Sequence, residues 1–286
     1  MLREIRSLGF DTAELSHGIR ISLLPGIIEA VEAGEMKISS LHNFCPLPMG
    51  INHAAPNLFV FSSTDPRERE NAWKHTVKTI ETAARFKAPV VVLHMGRIEM
   101  KDYTDKLLEM VQRDQQETPK YAALCEEVIE KWEKKKTRNV ENSAVMLERI
   151  ATLAEQHGVK LGIENRQALE EIPIDSDFGL FMMNFNRPSV GYWHDCGHAQ
   201  IKQHLGFIDH RLHLKSMESR LIGFHIHDVE FPGRDHRAPG LGTVNFEALK
   251  PMVKPEHVKV FELSPSLSPE EASKGVAYIK GLWGEE

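Results

Sequence analysis

Four apolar runs in this chain end in a carboxylate or an imidazole, and those ends recur at a nearly constant interval. VKLGIEN presents Glu164, VGYWHDCGHA presents Asp195, LIGFHIHD presents His227 and VKVFEL presents Glu262. Successive members lie 31, 32 and 35 positions apart. One strand, one crossover helix and two short loops occupy about 30 residues or more, so the interval is that of consecutive βα units. Each run reads as a strand buried on both faces, and its polar end is where the strand leaves the core. VVVLH, ending in His94, has the same form. A parallel barrel gathers the C-terminal ends of its strands on one face, where active sites of that architecture are built.

The expected fold class is therefore α/β, a (β/α)8 TIM barrel, as a single domain over 1–286. The 286 residues, 41% of them hydrophobic, are enough for one such barrel. The chain opens on a helix, Met1 to Leu8, closed by Gly9 ahead of the strand in FDTAELS, so on this reading the first strand is missing at the N-terminus. MKISSLHNF delivers His42, and Asp65 to Phe86 reads as a helix with Pro66 in its first turn. Between His94 and Glu164 lie 70 positions, about twice one βα unit. The surplus, about 97–139, is expected to be a charged helical insertion, followed by a separate helix over 143–157. Its apolar stripe suits a solvated helical pair, a lid or the contact of a homo-oligomer.

The net charge of −6 gives no overall attraction for nucleic acid, which is not expected as a partner. Three cysteines in no CxxC spacing suit a reducing compartment. With no signal peptide and no apolar run of membrane-spanning length, the expected location is cytoplasmic, with no membrane partner.

Glutamate, aspartate and histidine without thiolate favour Mn²⁺, Zn²⁺, Co²⁺ or Mg²⁺ as the divalent metal ion. Ionised groups inside apolar strands are costly unless paired or metal-bound. A bound ion polarises a carbonyl or hydroxyl oxygen while a carboxylate takes the carbon-bound proton, which is the chemistry of isomerases and epimerases. His225 is expected to face away from His227 and to serve structure. Cys196 reads as small buried filler, and His53, His75, His194, His204, His210, His213 and His257 have no supporting context. Gly240 and Gly242 suit a tight turn, or amides that face an anion.

In the order GIEN, HDCGHA, HIHD, DHRAPGLGTVNF and FEL, the chain resembles the xylose isomerase-like TIM-barrel superfamily, from Gly9 to Glu262. That superfamily includes ketose 3-epimerases, sugar and sugar-phosphate isomerases, and endonuclease IV. The resemblance implies that Glu164, Asp195, His227 and Glu262 bind the metal, with Glu164 and Glu262 also acting as acid and base. It implies that His198 and Glu170 contact a small carbohydrate-like substrate. His42 and His94 match histidines that join the shared glutamate at another metal in endonuclease IV, and His236, with His198, matches ligands of a third. Where that enzyme has an aspartate two positions before the histidine matching His236, this chain has Arg234, a cation that cannot ligate a metal. Its planar guanidinium suits a substrate carboxylate, phosphate or hydroxyl pair. The expected function is a metal-dependent isomerase or epimerase of a small sugar, sugar acid or related hydroxy-ketone, working through an enediolate. The rival is a metal-dependent phosphodiester hydrolase resembling endonuclease IV.

Overall fold

A computed structural model describes residues 2–284. In chain order it contains α1 (Leu2–Ser7), β1 (Thr12–Leu15), α2 (Leu24–Glu32), β2 (Lys37–His42), α3 (Pro66–Phe86) and β3 (Val90–Leu93). There follow α4 (Thr104–Gln112), α5 (Pro119–Gln156), β4 (Lys160–Glu164), α6 (Phe178–Asn184), β5 (Val190–Asp195), α7 (Cys196–His204) and α8 (His210–Met217). The chain then runs through β6 (Leu221–Ile226), β7 (Asp228–Glu230), β8 (Arg234–Arg237), α9 (Phe246–Leu249), β9 (Val258–Phe261) and α10 (Pro269–Trp283). Seven strands form one sheet in the order β1-β2-β3-β4-β5-β6-β9, while β7 and β8 make a separate antiparallel ribbon. This strand–helix alternation is the α/β class expected, with seven parallel strands among the described residues. Met1, placed in the N-terminal helix by the sequence, lies outside the described residues. No helix among the described residues is long and apolar enough to cross a membrane.

The contacts fall into two compact units. One holds the chain up to Gly96, with Arg138–Glu164 and Met182–Gly191. Within it β1, β2, β3 and β4 pair in parallel. All four side chains of β3 are buried, as its unbroken apolar run requires. The helix α3 starts where Asp65 accepts the Arg67 N–H at 2.8 Å and Pro66 takes a first-turn position whose N–H would have no helical partner. Its buried stripe of Ala72, Thr76, Ile80 and Ala83 follows helical spacing.

The other unit holds Arg97–Thr137, Asn165–Phe181 and the chain from Tyr192 on. In it β5, β6 and β9 pair in parallel. The insertion begins with α4, whose first amides are held by Glu170: its carboxylate accepts from Tyr103 N at 2.6 Å, Thr104 N at 3.2 Å and Thr104 Oγ1 at 2.8 Å. Trp132 donates to the Leu169 carbonyl at 2.6 Å from within α5. The expected break before residue 143 is absent, because α5 is one helix of 38 residues. Beyond Pro119 it contains neither Gly nor Pro, and its Lys, Glu and Arg residues are good helix formers, so nothing stops propagation.

Candidate metal centre

In the first unit three neighbouring strands bring their ends together. His42 is the last residue of β2, His94 follows β3 and Glu164 ends β4. The Glu164 Oε2 lies 2.8 Å from His94 Nε2 and 3.5 Å from His42 Nε2. His42 Nδ1 faces the Asn43 carbonyl at 2.9 Å, and a carbonyl only accepts, so Nδ1 carries the proton. His94 Nδ1 likewise meets Asn57 Oδ1 at 2.8 Å. In the neutral rings Nε2 is then a lone pair aimed at a carboxylate. Such an arrangement calls for a cation between the groups, either added protons or a metal ion. His17 packs edge-on against His42, with ring centroids 4.7 Å apart, and extends this imidazole row beyond what the sequence suggested.

In the second unit Asp195 is the hub. Its backbone is locked by Asn165, whose Oδ1 accepts the Asp195 N–H at 2.7 Å and whose Nδ2 donates to the Asp195 carbonyl at 3.0 Å. Its Oδ1 accepts the His198 N–H at 2.7 Å and so caps α7. Its Oδ2 lies 3.0 Å from His227 Nε2. His198 Nδ1 faces the Asn165 carbonyl at 3.0 Å, so in the neutral ring Nδ1 carries the proton and Nε2 is the acceptor nitrogen. A side chain at Gly197 would collide with the His227 ring, so only glycine permits this close approach.

His225 does not face away as expected. It is fully buried, and its Nδ1 stands 3.1 Å from Glu262 Oε2 and 3.7 Å from Asp195 Oδ2. Side chains alternate along a strand with period two, so positions 225 and 227 share a face, and the expectation that His225 faces away fails on that geometry. His227, expected as the ligand, receives the His236 N–H on Nδ1 at 3.0 Å, which places the proton of its neutral ring on Nε2, facing Asp195. Burial alone would lower the His227 pKa, but Asp195, with Glu262 and Asp235, reverses that and raises it to about 9. The amide aimed at Nδ1 opposes full protonation. The ring of His236 stacks on His227 at a centroid distance of 4.3 Å, and its Nδ1 donates to the Glu262 carbonyl at 2.9 Å.

Two donor sets therefore fit a divalent ion within these units. One is His42, His94 and Glu164; the other joins Glu262 and Asp195 with His225, and His227 and His236 also lie within ligand range of Glu262. The donors are oxygen and imidazole nitrogen throughout, as a hard or borderline divalent cation requires.

Two residues expected to contact substrate have partners within the protein. Glu170 is spent on the N-terminus of α4, where buried amides need an acceptor. Arg234 is exposed on the β7–β8 ribbon, 3.3 Å from Glu230. The ribbon is anchored by Asp228, a buried carboxylate that accepts from the N–H groups of Val229 (2.8 Å), Gly240, Gly242 and Val244 (each 2.9 Å). The glycine amides of this turn thus face an internal carboxylate. Gly242 is required there, since a Cβ would run into the Val229 carbonyl.

Behind Asp195 lies a buried polar chain that the sequence did not disclose. Tyr192 and His194 project from the opposite face of β5 to Asp195, by the same period of two. His210 Nδ1 meets Gln200 Oε1 at 3.1 Å, so that nitrogen carries the proton and Nε2 accepts from His194 Nε2 at 2.9 Å. His194 Nδ1 then accepts the Tyr192 hydroxyl at 2.8 Å, and the Tyr192 oxygen accepts from His213 Nε2 at 3.1 Å. In the other direction Gln200 Nε2 donates to His204 Nε2 at 2.9 Å, and His204 Nδ1 donates to the Pro232 carbonyl at 2.8 Å. The partners of His194, His204, His210 and His213 suit four neutral imidazoles, each with one tautomer. Burial, assisted by the neighbouring imidazoles, holds His194 well below its ordinary pKa and His210 down at about 3.

A family model described as xylose isomerase-like TIM barrel matches residues 2–281. No curated protein matches the chain. Among solved structures, a D-tagatose 3-epimerase-like protein is 18% identical with a TM-score of 0.69, over 99% of this chain and 91% of its own. The 3-keto-D-glucoside 4-epimerase from E. coli is 13% identical with a TM-score of 0.67, over 98% and 92%. The D-psicose 3-epimerase from Clostridium cellulolyticum H10 is 14% identical with a TM-score of 0.66, over 99% and 92%. At these identities the likeness is one of fold.

Proposed function

Because the chain belongs to the xylose isomerase-like TIM-barrel family, we propose that it is a divalent-metal-dependent isomerase or epimerase of a small sugar, sugar acid or related hydroxy-ketone, with Glu164 and Glu262 moving the proton. The observation that carries this reading is the donor chemistry: the buried Glu164 carboxylate meets His42 and His94, whose second nitrogens are already committed, and Glu262 meets the buried His225. The structural neighbours, named as sugar epimerases, support it. Asp195, Glu262 and His225 would hold an ion, and His42, His94 and Glu164 offer a second donor set. Mn²⁺, Zn²⁺, Co²⁺ and Mg²⁺ all suit these donors.

A bound divalent ion supplies Lewis-acid polarisation of a substrate carbonyl or hydroxyl oxygen. The residues do the rest. One glutamate takes the proton from the carbon next to the carbonyl, and the other returns a proton to the resulting enediolate. Return to the opposite face of the same carbon inverts it; return to the neighbouring carbon interconverts aldose and ketose. His198 holds a substrate hydroxyl, and Asn165 keeps both Asp195 and His198 in place. His227 steadies the Asp195 oxygen that faces it.

The phosphodiesterase reading is favoured by one feature, the His42–His94–Glu164 set, which would give a second ion. Arg234, standing where a ligand aspartate would be needed, opposes it. Elemental analysis of the purified protein tests the proposal. Metal that survives dialysis, is removed by EDTA and falls in His225→Ala is expected; protein that never retains a divalent ion would overturn it.

A further inference from the structure

Trp193 lies two positions before Asp195 on β5, and the period of two puts both side chains on one face of the strand. It is the largest of the wholly buried side chains among the described residues. The register pairs Trp193 with Gly223 and Asp195 with His225, so the two strands present two successive rungs of one ladder. On one rung stand candidate metal ligands; on the rung before it, an indole faces a residue without a side chain. Resting on the proposed metal site, we propose that Trp193 is a positioning residue: it fills the space that Gly223 leaves and so holds the His225 imidazole against Glu262 and Asp195.

Three observations carry the inference. The indole meets the His225 ring edge-on, with centroids 5.1 Å apart and planes at 71°, an arrangement that aromatic pairs prefer. A Cβ at Gly223 would run into the six-membered ring of Trp193, so the indole lies over the Gly223 backbone. Gly223 and His225 share a face of β6, again by the period of two. Without the indole the space beside Gly223 would be open, and an imidazole that turns about two single bonds would drop into it. Its Nδ1, 3.1 Å from Glu262 and 3.7 Å from Asp195, would then leave both carboxylates. The third observation is that two rules of stability are broken in one place. Glycine inside a strand weakens it and marks a close approach of another group. The Trp193 Nε1 is buried with no hydrogen-bond partner in the protein, a penalty that leucine or phenylalanine would avoid. Local rules broken together are expected where function, not stability, sets the residues.

The support falls on His225 rather than on its neighbour. Asp195 is already fixed by Asn165, which bonds both its N–H and its carbonyl, and by the His198 amide on its Oδ1. His225 reaches the two carboxylates through its ring, and a ring has to be kept from turning. A large, rigid neighbour on the adjoining strand does that without competing for Nδ1.

The test is titration of Co²⁺, followed by its visible absorption, in a His42→Ala background that removes the other donor set. Adding Trp193→Leu should weaken Co²⁺ binding at least about tenfold, as loss of an outer partner of a ligand does, and should change the spectrum. Trp193→Phe keeps a ring but leaves part of the space open, and should give a smaller loss with a spectral change in the same direction. Gly223→Ala added to Trp193→Leu refills part of the space and should recover part of the affinity. In metal-free protein the His225 ¹⁵N signals should move in Trp193→Leu. A residue that served packing alone would lower the urea midpoint and leave the affinity, the spectrum and those signals unchanged, and that result would overturn the inference. Should Trp193→Leu not fold, unchanged affinity and spectrum in Trp193→Phe would overturn it equally. Protein that binds no Co²⁺ contradicts the metal reading, while the His225 signals still decide the role of Trp193.

Discussion

His225 and His227 divide the work around Asp195 in a way their identical chemistry conceals. His225 offers Nδ1 toward both Glu262 and Asp195, while His227 spends one nitrogen on the His236 amide and the other on Asp195. His227→Gln, which can still donate to Asp195, should lower metal affinity by about 10- to 100-fold, as outer partners of ligands usually do. His225→Ala should cost more, and competition with a chromogenic chelator would rank the two. The raised pKa of His227 has a consequence for stability, because its folded value of about 9 exceeds the ordinary 6.5. A group shifted upward contributes stability that is fully present below the unfolded pKa and lost as pH rises through the folded one. Metal-free protein should therefore weaken between roughly pH 6.5 and 9, by at most about 3.4 kcal/mol. Urea midpoints across that range should fall in wild type and stay flatter in His227→Gln; equal slopes would contradict the assignment. At this scale the strand-end residues were legible because an apolar run with a polar end is a local pattern. His225 was not, since its direction follows from the two-residue spacing that the structural reading of it neglected.

The β7–β8 ribbon is held by one carboxylate rather than by an apolar core of its own. Asp228 accepts four N–H groups, two of them from the glycines whose spacing stood out in the sequence. Asp228→Asn replaces an acceptor oxygen with a donor that faces N–H groups, so it should cost about 2–4 kcal/mol, read from urea unfolding with metal present. A loss below measurement error would mean that the ribbon does not depend on this clamp. The imidazole chain through α7 and α8 makes a second prediction for these elements. Nitrogen-15 NMR should find the proton on Nε2 in His194 and His213 and on Nδ1 in His204 and His210, unchanged from pH 6 to 8. Four histidines without periodicity gave no signal in the sequence, because the network joins β5, α7, α8 and the ribbon only after folding. The insertion was legible from its length and charge, yet its junction with α5 was not. Neither a break nor a continuation is marked there by Gly, Pro or a capping residue strong enough to decide.

For the whole molecule, the recurring interval between strand ends carried most of the fold. The ends it pointed to, Glu164 on β4, Asp195 on β5, His227 after β6 and Glu262 after β9, all stand where βα units deliver them. Substrate choice was less legible, because loops and the ribbon determine it: Glu170 proved to serve α4, and Arg234 to lie exposed beside Glu230. The central claim is that Glu164 and Glu262 move a carbon-bound proton. The most direct measurement is solvent deuterium incorporation, by proton NMR, into a panel of ketoses, sugar phosphates and sugar acids. Wild-type protein loaded with Mn²⁺ should exchange the proton beside the carbonyl of at least one of them. Glu164→Gln and Glu262→Gln, with their fold confirmed, should each slow that exchange by about 10²- to 10⁴-fold. Exchange that persists undiminished in both variants, or never occurs in wild type across the panel, would contradict the account.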